Sequence, residues 1–141
     1  MKKVVINSSF DGFDLSPMAI LKYAELNGFK VYPYVNQTVD NDEEIIKLSP
    51  KDFNDFPIIY WVKNDLGEMT NSEVINKADW FHDWEIERDD LMLVKVVEFL
   101  GDKANGMHAK LKIVEIPDDV EFKIEEYDGQ ECVAEAHRTW S

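Results

Sequence analysis

Lys3-Val4-Val5-Ile6-Asn7-Ser8-Ser9-Phe10-Asp11-Gly12-Phe13-Asp14-Leu15-Ser16-Pro17 is the stretch on which the fold turns. Val4, Val5 and Ile6 are consecutive and β-branched, which predicts a buried strand. Residues 8–15 read as a turn-rich loop. Ser16 is placed to cap a helix, and Pro17 fits its first position. Lys22 and Glu25 mark the wet face of that helix over residues 17–27, and Gly28 stops it. Residues 29–35 read as a second strand. Strand, helix and strand within about 33 residues predict a right-handed crossover joining a parallel pair.

Outward from there, residues 36–44 are polar and read as a surface loop. Residues 58–62 read as a strand, and Asn64-Asp65-Leu66-Gly67 as a turn. Residues 72–84 keep weak helical spacing through Val74, Ile75 and Ala78. Asp89 or Asp90 caps a helix over 91–100 in which only Lys95 and Glu98 are polar, so it should be mostly buried. Gly101 ends it. Residues 102–108 form a loop with Gly106, and 111–116 a strand. Val120, Phe122 and Ile124 alternate with Glu121, Lys123 and Glu125, a strand with one wet face. Tyr127-Asp128-Gly129-Gln130 turns into a last strand over 131–136. The expected fold class is α+β: a small mixed sheet with an N-terminal βαβ crossover, a second buried helix and a C-terminal antiparallel meander. No repeat, low-complexity tract or linker interrupts residues 1–141, so a single domain is expected.

The chain has 141 residues, 45% of them hydrophobic, which excludes wholesale disorder. Fifteen Lys plus Arg against 29 Asp plus Glu give a net charge of −14. Such a charge argues against binding a nucleic-acid duplex or an anionic membrane. No apolar run approaches the roughly 18 residues of a membrane-spanning helix. The opening carries too few apolar residues for a signal peptide. One cysteine, Cys132, allows no internal disulfide and no cysteine-based zinc site. A reduced, cytoplasmic location is the expectation.

The first loop is the best-placed candidate site. It leaves a buried strand and enters a helix N-terminus, where free N–H groups and the dipole attract anions. Asn7, Ser8 and Ser9 could contact ribose or phosphate, and Phe10 and Phe13 could stack on a base. The loop is neither Gly-x-Gly-x-x-Gly nor a P-loop, and Asp11 and Asp14 would repel phosphate. The alternative is a tight turn with both phenylalanines in the core. The second feature is scarcity: the only arginines are Arg88 and Arg138. Each lies near a histidine and tryptophans in sequence: Trp80, His82 and Trp84 before Arg88, and His137 and Trp140 beside Arg138. Guanidinium forks beside aromatic faces suit a nucleotide-like ligand. The competing account pairs each arginine with an acid and makes the tryptophans partly buried anchors.

Catalytic constellations are poor. His82, His108 and His137 are too scattered for a metal site, and neither His-Glu-x-x-His nor Gly-x-Ser-x-Gly occurs. The acidic neighbours Glu131 and Glu135 make Cys132 a poor nucleophile, and burial in a strand is expected for it. No catalytic residue, metal or cofactor is expected. The acid runs at 40–44, 83–90 and 117–131 read either as a solvated surface or as a negative face towards a basic partner.

Phe10-Asp11-Gly12-Phe13-Asp14-Leu15-Ser16, Leu100-Gly101-Asp102-Lys103-Ala104-Asn105-Gly106, Ile113-Val114-Glu115-Ile116-Pro117-Asp118, Glu126-Tyr127-Asp128-Gly129 and His137-Arg138-Thr139-Trp140 resemble a family of small tailed-phage and prophage proteins. The resemblance covers roughly the first 30 and last 55 residues. The family's opening loop is richer in glycine; Asp11 and Asp14 stand there in this chain. The resemblance implies a protein of the infected bacterial host's cytoplasm, acting in host takeover or against host defence. The expected function is then a homo-oligomeric binding protein that sequesters a nucleotide-derived immune signal, of the cyclic ADP-ribose or cyclic-oligonucleotide type, without turnover. In that account Trp80, Trp84 or Phe10 stacks the base, Arg88 and Arg138 hold phosphates, and His82 and His137 line the same site. The alternatives are an acidic protein–protein inhibitor of a host enzyme, and a nucleotide-cleaving enzyme using His82, Asp83 or His137.

Overall fold

The computed structural model describes residues 1–40, 42–56 and 58–136. The chain divides into two compact units, one of Met1–Tyr23 with Asp83–Ser141 and one of Ala24–His82. The class is α+β.

In the first unit, β1 (Lys2–Asn7) buries Val4, Val5, Ile6 and Asn7 in succession. It pairs antiparallel with β6 (Leu111–Ile116), Val4 opposite Val114 and Asn7 opposite Leu111. Its Val5 N–H donates to the Arg88 carbonyl at 2.8 Å. A second antiparallel pair, β7 (Phe122–Tyr127) and β8 (Gln130–Glu135), closes through Asp128 (φ 50°) and Gly129 (φ 88°), the two left-handed positions of a tight hairpin. Helix α1 (Pro17–Leu26) starts where Ser16 Oγ accepts the Ala19 N–H at 3.1 Å, and carries the chain into the second unit. Helix α3 (Leu91–Leu100) is capped by Asp90, whose Oδ1 accepts from Met92 N and Leu93 N. Its buried residues Leu93, Val94, Val96 and Val97 follow the helical period and fill the core.

In the second unit, β2 (Tyr32–Val39) is flanked by β3 (Asp42–Lys47) and β4 (Tyr60–Val62), and β5 (Met69–Thr70) adds to β3, all antiparallel. The short α2 (Ser72–Asn76) is capped by Asn71. Tyr34, Ile45, Val62 and Ile75 form the core, with Tyr60 and Trp80 packed against it. The buried Tyr34 hydroxyl donates to the Gly67 carbonyl and accepts from Leu66 N, fixing the 64–67 turn.

The parallel crossover is corrected: β1 pairs with β6, and β2 with β3 and β4, every named pairing being antiparallel. A strand buried on both faces reads the same from either kind of neighbour, so the apolar run at 4–6 left its partner open. The loop expected at 36–44 is instead mostly strand. Asn36, Gln37, Asp42 and Glu43 are exposed on the two strands of a hairpin that turns at Asp40 (φ 51°). The meander is reduced to its last hairpin, because β6 is taken up by β1.

Candidate functional site

Asn7 is fully buried at the end of β1 and joins three loops of the first unit. Its Nδ2 donates to the Ser9 carbonyl at 3.0 Å and to the Gly129 carbonyl at 2.9 Å. Its Oδ1 accepts from Lys110 N at 2.9 Å and from Ser9 N at 3.2 Å. The carboxamide's hydrogen-bonding capacity is therefore filled by the protein. Ser8 Oγ donates to the Lys110 carbonyl, and Ser9 Oγ lies 2.8 Å from the His108 carbonyl oxygen. The three polar residues expected to touch ligand thus tie together loop 8–16, loop 105–110 and the 128–129 turn.

Beneath this junction Arg88 forks onto Glu131, Nη1 to Oε1 at 2.5 Å and Nη2 to Oε2 at 3.0 Å. The two side chains are 16% and 5% exposed. The Arg88 guanidinium carbon lies 3.6 Å from the centre of the Phe13 ring, a cation–π stack. Glu131 Oε1 also accepts the Asn7 N–H at 2.8 Å. Of the accounts weighed for Arg88, the ion pair with an acid is the one present. The inward place of Glu131 on β8 puts Cys132 outward, and the cysteine is exposed, correcting the expected burial.

On the other side of loop 8–16 stands an acid pair. Leu15 N donates to Asp83 Oδ2 at 3.0 Å, and the Asp14 carbonyl accepts from Gly106 N at 2.9 Å. Asp14 lies so close over Gly106 that a Cβ there would overlap its carboxyl group. Loss of hydration first, and the Asp83 carboxylate second, push the Asp14 carboxyl up to about 6, against the pull of a Met107 backbone hydrogen bond and of His108. The Asp14 carboxyl can therefore hold and release a proton near neutral pH. Among the described residues no group of three His, Cys, Asp or Glu side chains could hold a metal ion.

The outer rim is apolar and acidic. Phe10, Met107 and Tyr127 are 63%, 63% and 75% exposed. Phe10 and Met107 sit on the first two of the joined loops, Tyr127 borders the third, and Asp11, Asp14 and Asp128 lie on the first and third. Trp84 is exposed in a 3-10 turn, Asp83–Glu85. Trp80 and His82 belong to the second unit, where their rings stack at 6.0 Å and Trp80 Nε1 donates to the Ile75 carbonyl at 2.8 Å. His137 and Arg138 lie outside the described residues. Sequence reasoning missed Glu131, Gly129 and Lys110 as partners of Asn7 and Arg88. The signal that pointed towards them was the scarcity of arginine, which marks a guanidinium with a dedicated use.

No helix among the described residues is long and apolar enough to cross a membrane. No protein-family model matches this chain, and no curated protein or solved structure matches it either.

Proposed function

We propose that the chain acts by binding and not by turnover, docking on a basic protein surface through the loops gathered around Asn7. The observation that carries this is the rim itself. Phe10, Met107 and Tyr127 stand open on or beside backbone held by the Asn7 network, with acids on the same loops. Apolar side chains on preordered loops bind with less loss of chain entropy, and a surrounding acidic field favours and steers a basic partner. In the phage setting that the resemblance implies, the partner is a host enzyme. A nucleotide-derived signal is the competing ligand. For it, Arg88 would have to leave Glu131, which leaves His137 and Arg138 as the groups to hold phosphate.

The test is capture of partners from bacterial lysate at low and high salt, by the parent chain and by a Phe10→Ser/Tyr127→Ser variant. The reading expects a basic partner that is lost on adding salt and lost in the variant. Calorimetric titration with cyclic ADP-ribose-type and cyclic-oligonucleotide ligands runs beside it. Tight nucleotide binding, with no salt-sensitive partner, would replace this reading by sequestration.

A further inference from the structure

We infer that the outer edge of β7 pairs with the same edge of a second copy of this chain, joining two hairpins into one four-stranded antiparallel sheet. The β7–β8 pair stands as a two-stranded sheet of its own. Ala136 N donates to the Glu121 carbonyl at 2.9 Å, so in this register Glu121, Lys123, Glu125 and Tyr127 turn their backbone groups towards β8. Phe122, Ile124 and Glu126 turn theirs outward, where no hydrogen bond engages them among the described residues. Such an edge takes up another strand. Two other edges of the first unit are less free. Leu111 N, at the start of β6, is held by Asn105 Oδ1 at 2.9 Å, and β8 lies against β1, where Glu131 takes the Asn7 N–H.

The charge pattern of the edge selects its occupant and its register. A two-fold contact is self-complementary, and an axis at Ile124 sets that residue opposite the partner's Ile124. Lys123 then faces the partner's Glu125, and Glu125 the partner's Lys123, at non-hydrogen-bonded positions where side chains come closest. Phe122 faces the partner's Glu126, and Lys2 lies over the Phe122 ring at 5.3 Å, a base beside that acid. Glu121 faces the partner's Tyr127. The like charges brought nearest are diagonal, Glu125 to the partner's Glu125 and to the partner's Glu121. Each Glu125 is offset by its own Lys123 at 3.4 Å and by the partner's Lys123 directly opposite. Of the remaining acids of the hairpin, Asp128 falls at the end of the pairing, Glu131 is held by Arg88, and Glu135 lies on the far strand. Sliding the pair by two residues would set Lys123 on Lys123 in one direction and Glu125 on Glu125 in the other. A wholly basic segment would meet Lys123 in mid-edge, and an acidic one would meet Glu121, Glu125 and Glu126. The −14 carried by each copy is screened beyond about 8 Å at physiological ionic strength, so these close charges decide.

Sedimentation equilibrium over a wide concentration range tests this with the parent chain, with Lys123→Glu, with Glu125→Lys, and with an equimolar mixture of the two variants. Both side chains are about half exposed, 51% and 55%, so the variants should melt close to the parent. The expected result is a parent dimer whose dissociation constant rises about tenfold or more in either variant alone. The mixture should dimerise again, because each variant then supplies the charge the other has lost. Amide exchange at Phe122, Ile124 and Glu126 of the parent should slow as concentration rises. A parent that is monomeric at every concentration overturns the inference. So does a dimer that neither variant weakens, or one that the mixture fails to restore.

Discussion

Arg88 and Glu131 are each other's main electrostatic partner in a site nearly closed to water. Removing one member leaves the other charge buried and unpaired, which costs about 3–5 kcal/mol. Glu131→Leu should therefore lower the melting temperature by roughly 10 °C. Arg88→Met/Glu131→Leu should recover much of that loss, leaving the cost of the Asn7 N–H without an acceptor; thermal melts of the three chains decide this. Gly129 makes the same junction intolerant by geometry. At φ 88° an added Cβ is strained, and it would stand 2.6 Å from the Gly12 nitrogen and closer still to the Phe10 carbonyl oxygen. Both neighbours are backbone, so Gly129→Ala should cost about 2 kcal/mol or more, read by denaturant unfolding. Asp14 gives a pH signature. Its folded carboxyl titrates at about 6 against an ordinary 3.8, so the folded state binds more protons than the unfolded one between those values. Stability then falls as pH rises through that window. Asp14→Asn should melt above the parent beyond about pH 6, and the difference should close towards about pH 4. A difference independent of pH would contradict the paired-acid account.

Among the elements, helices were legible where caps and period agreed. Ser16-Pro17 and Asp90 start α1 and α3 where the residues said they would, and Gly101 ends α3. Asp90→Ala should cost about 1–2 kcal/mol by thermal unfolding, since it removes the cap and the acceptor of Tyr23 together. Strand partners were not legible. A run such as Val4-Val5-Ile6 states burial on both faces without stating whose edge it meets, and β1 took β6 from the far end of the chain. The β2–β3 hairpin was hidden by composition, because Asn36, Gln37, Asp42 and Glu43 lie on exposed strand positions and read as loop. The candidate site was half legible. Asn7, Ser8, Ser9, Phe10 and Phe13 do cluster at the end of β1, but the polar three bind the protein's own backbone. Glu131 was legible only indirectly: the scarcity of arginine marked Arg88, but an acid inside a strand declares burial only once its arginine is known to sit opposite.

At the scale of the molecule, the excess of 29 acids over 15 bases is an instruction about partners more than about fold. Such a charge draws basic surfaces to wherever exposed apolar side chains lie among acids. The central claim is that the loops joined by Asn7 form the surface that meets a partner. Amide hydrogen exchange, with and without the captured partner at low salt, tests it most directly. The account predicts slowed exchange in loops 8–12 and 105–110 and around the 128–129 turn, with the exposed side of β2 and β3 unchanged. Slowing confined to other segments, with those three loops unaltered, would contradict it.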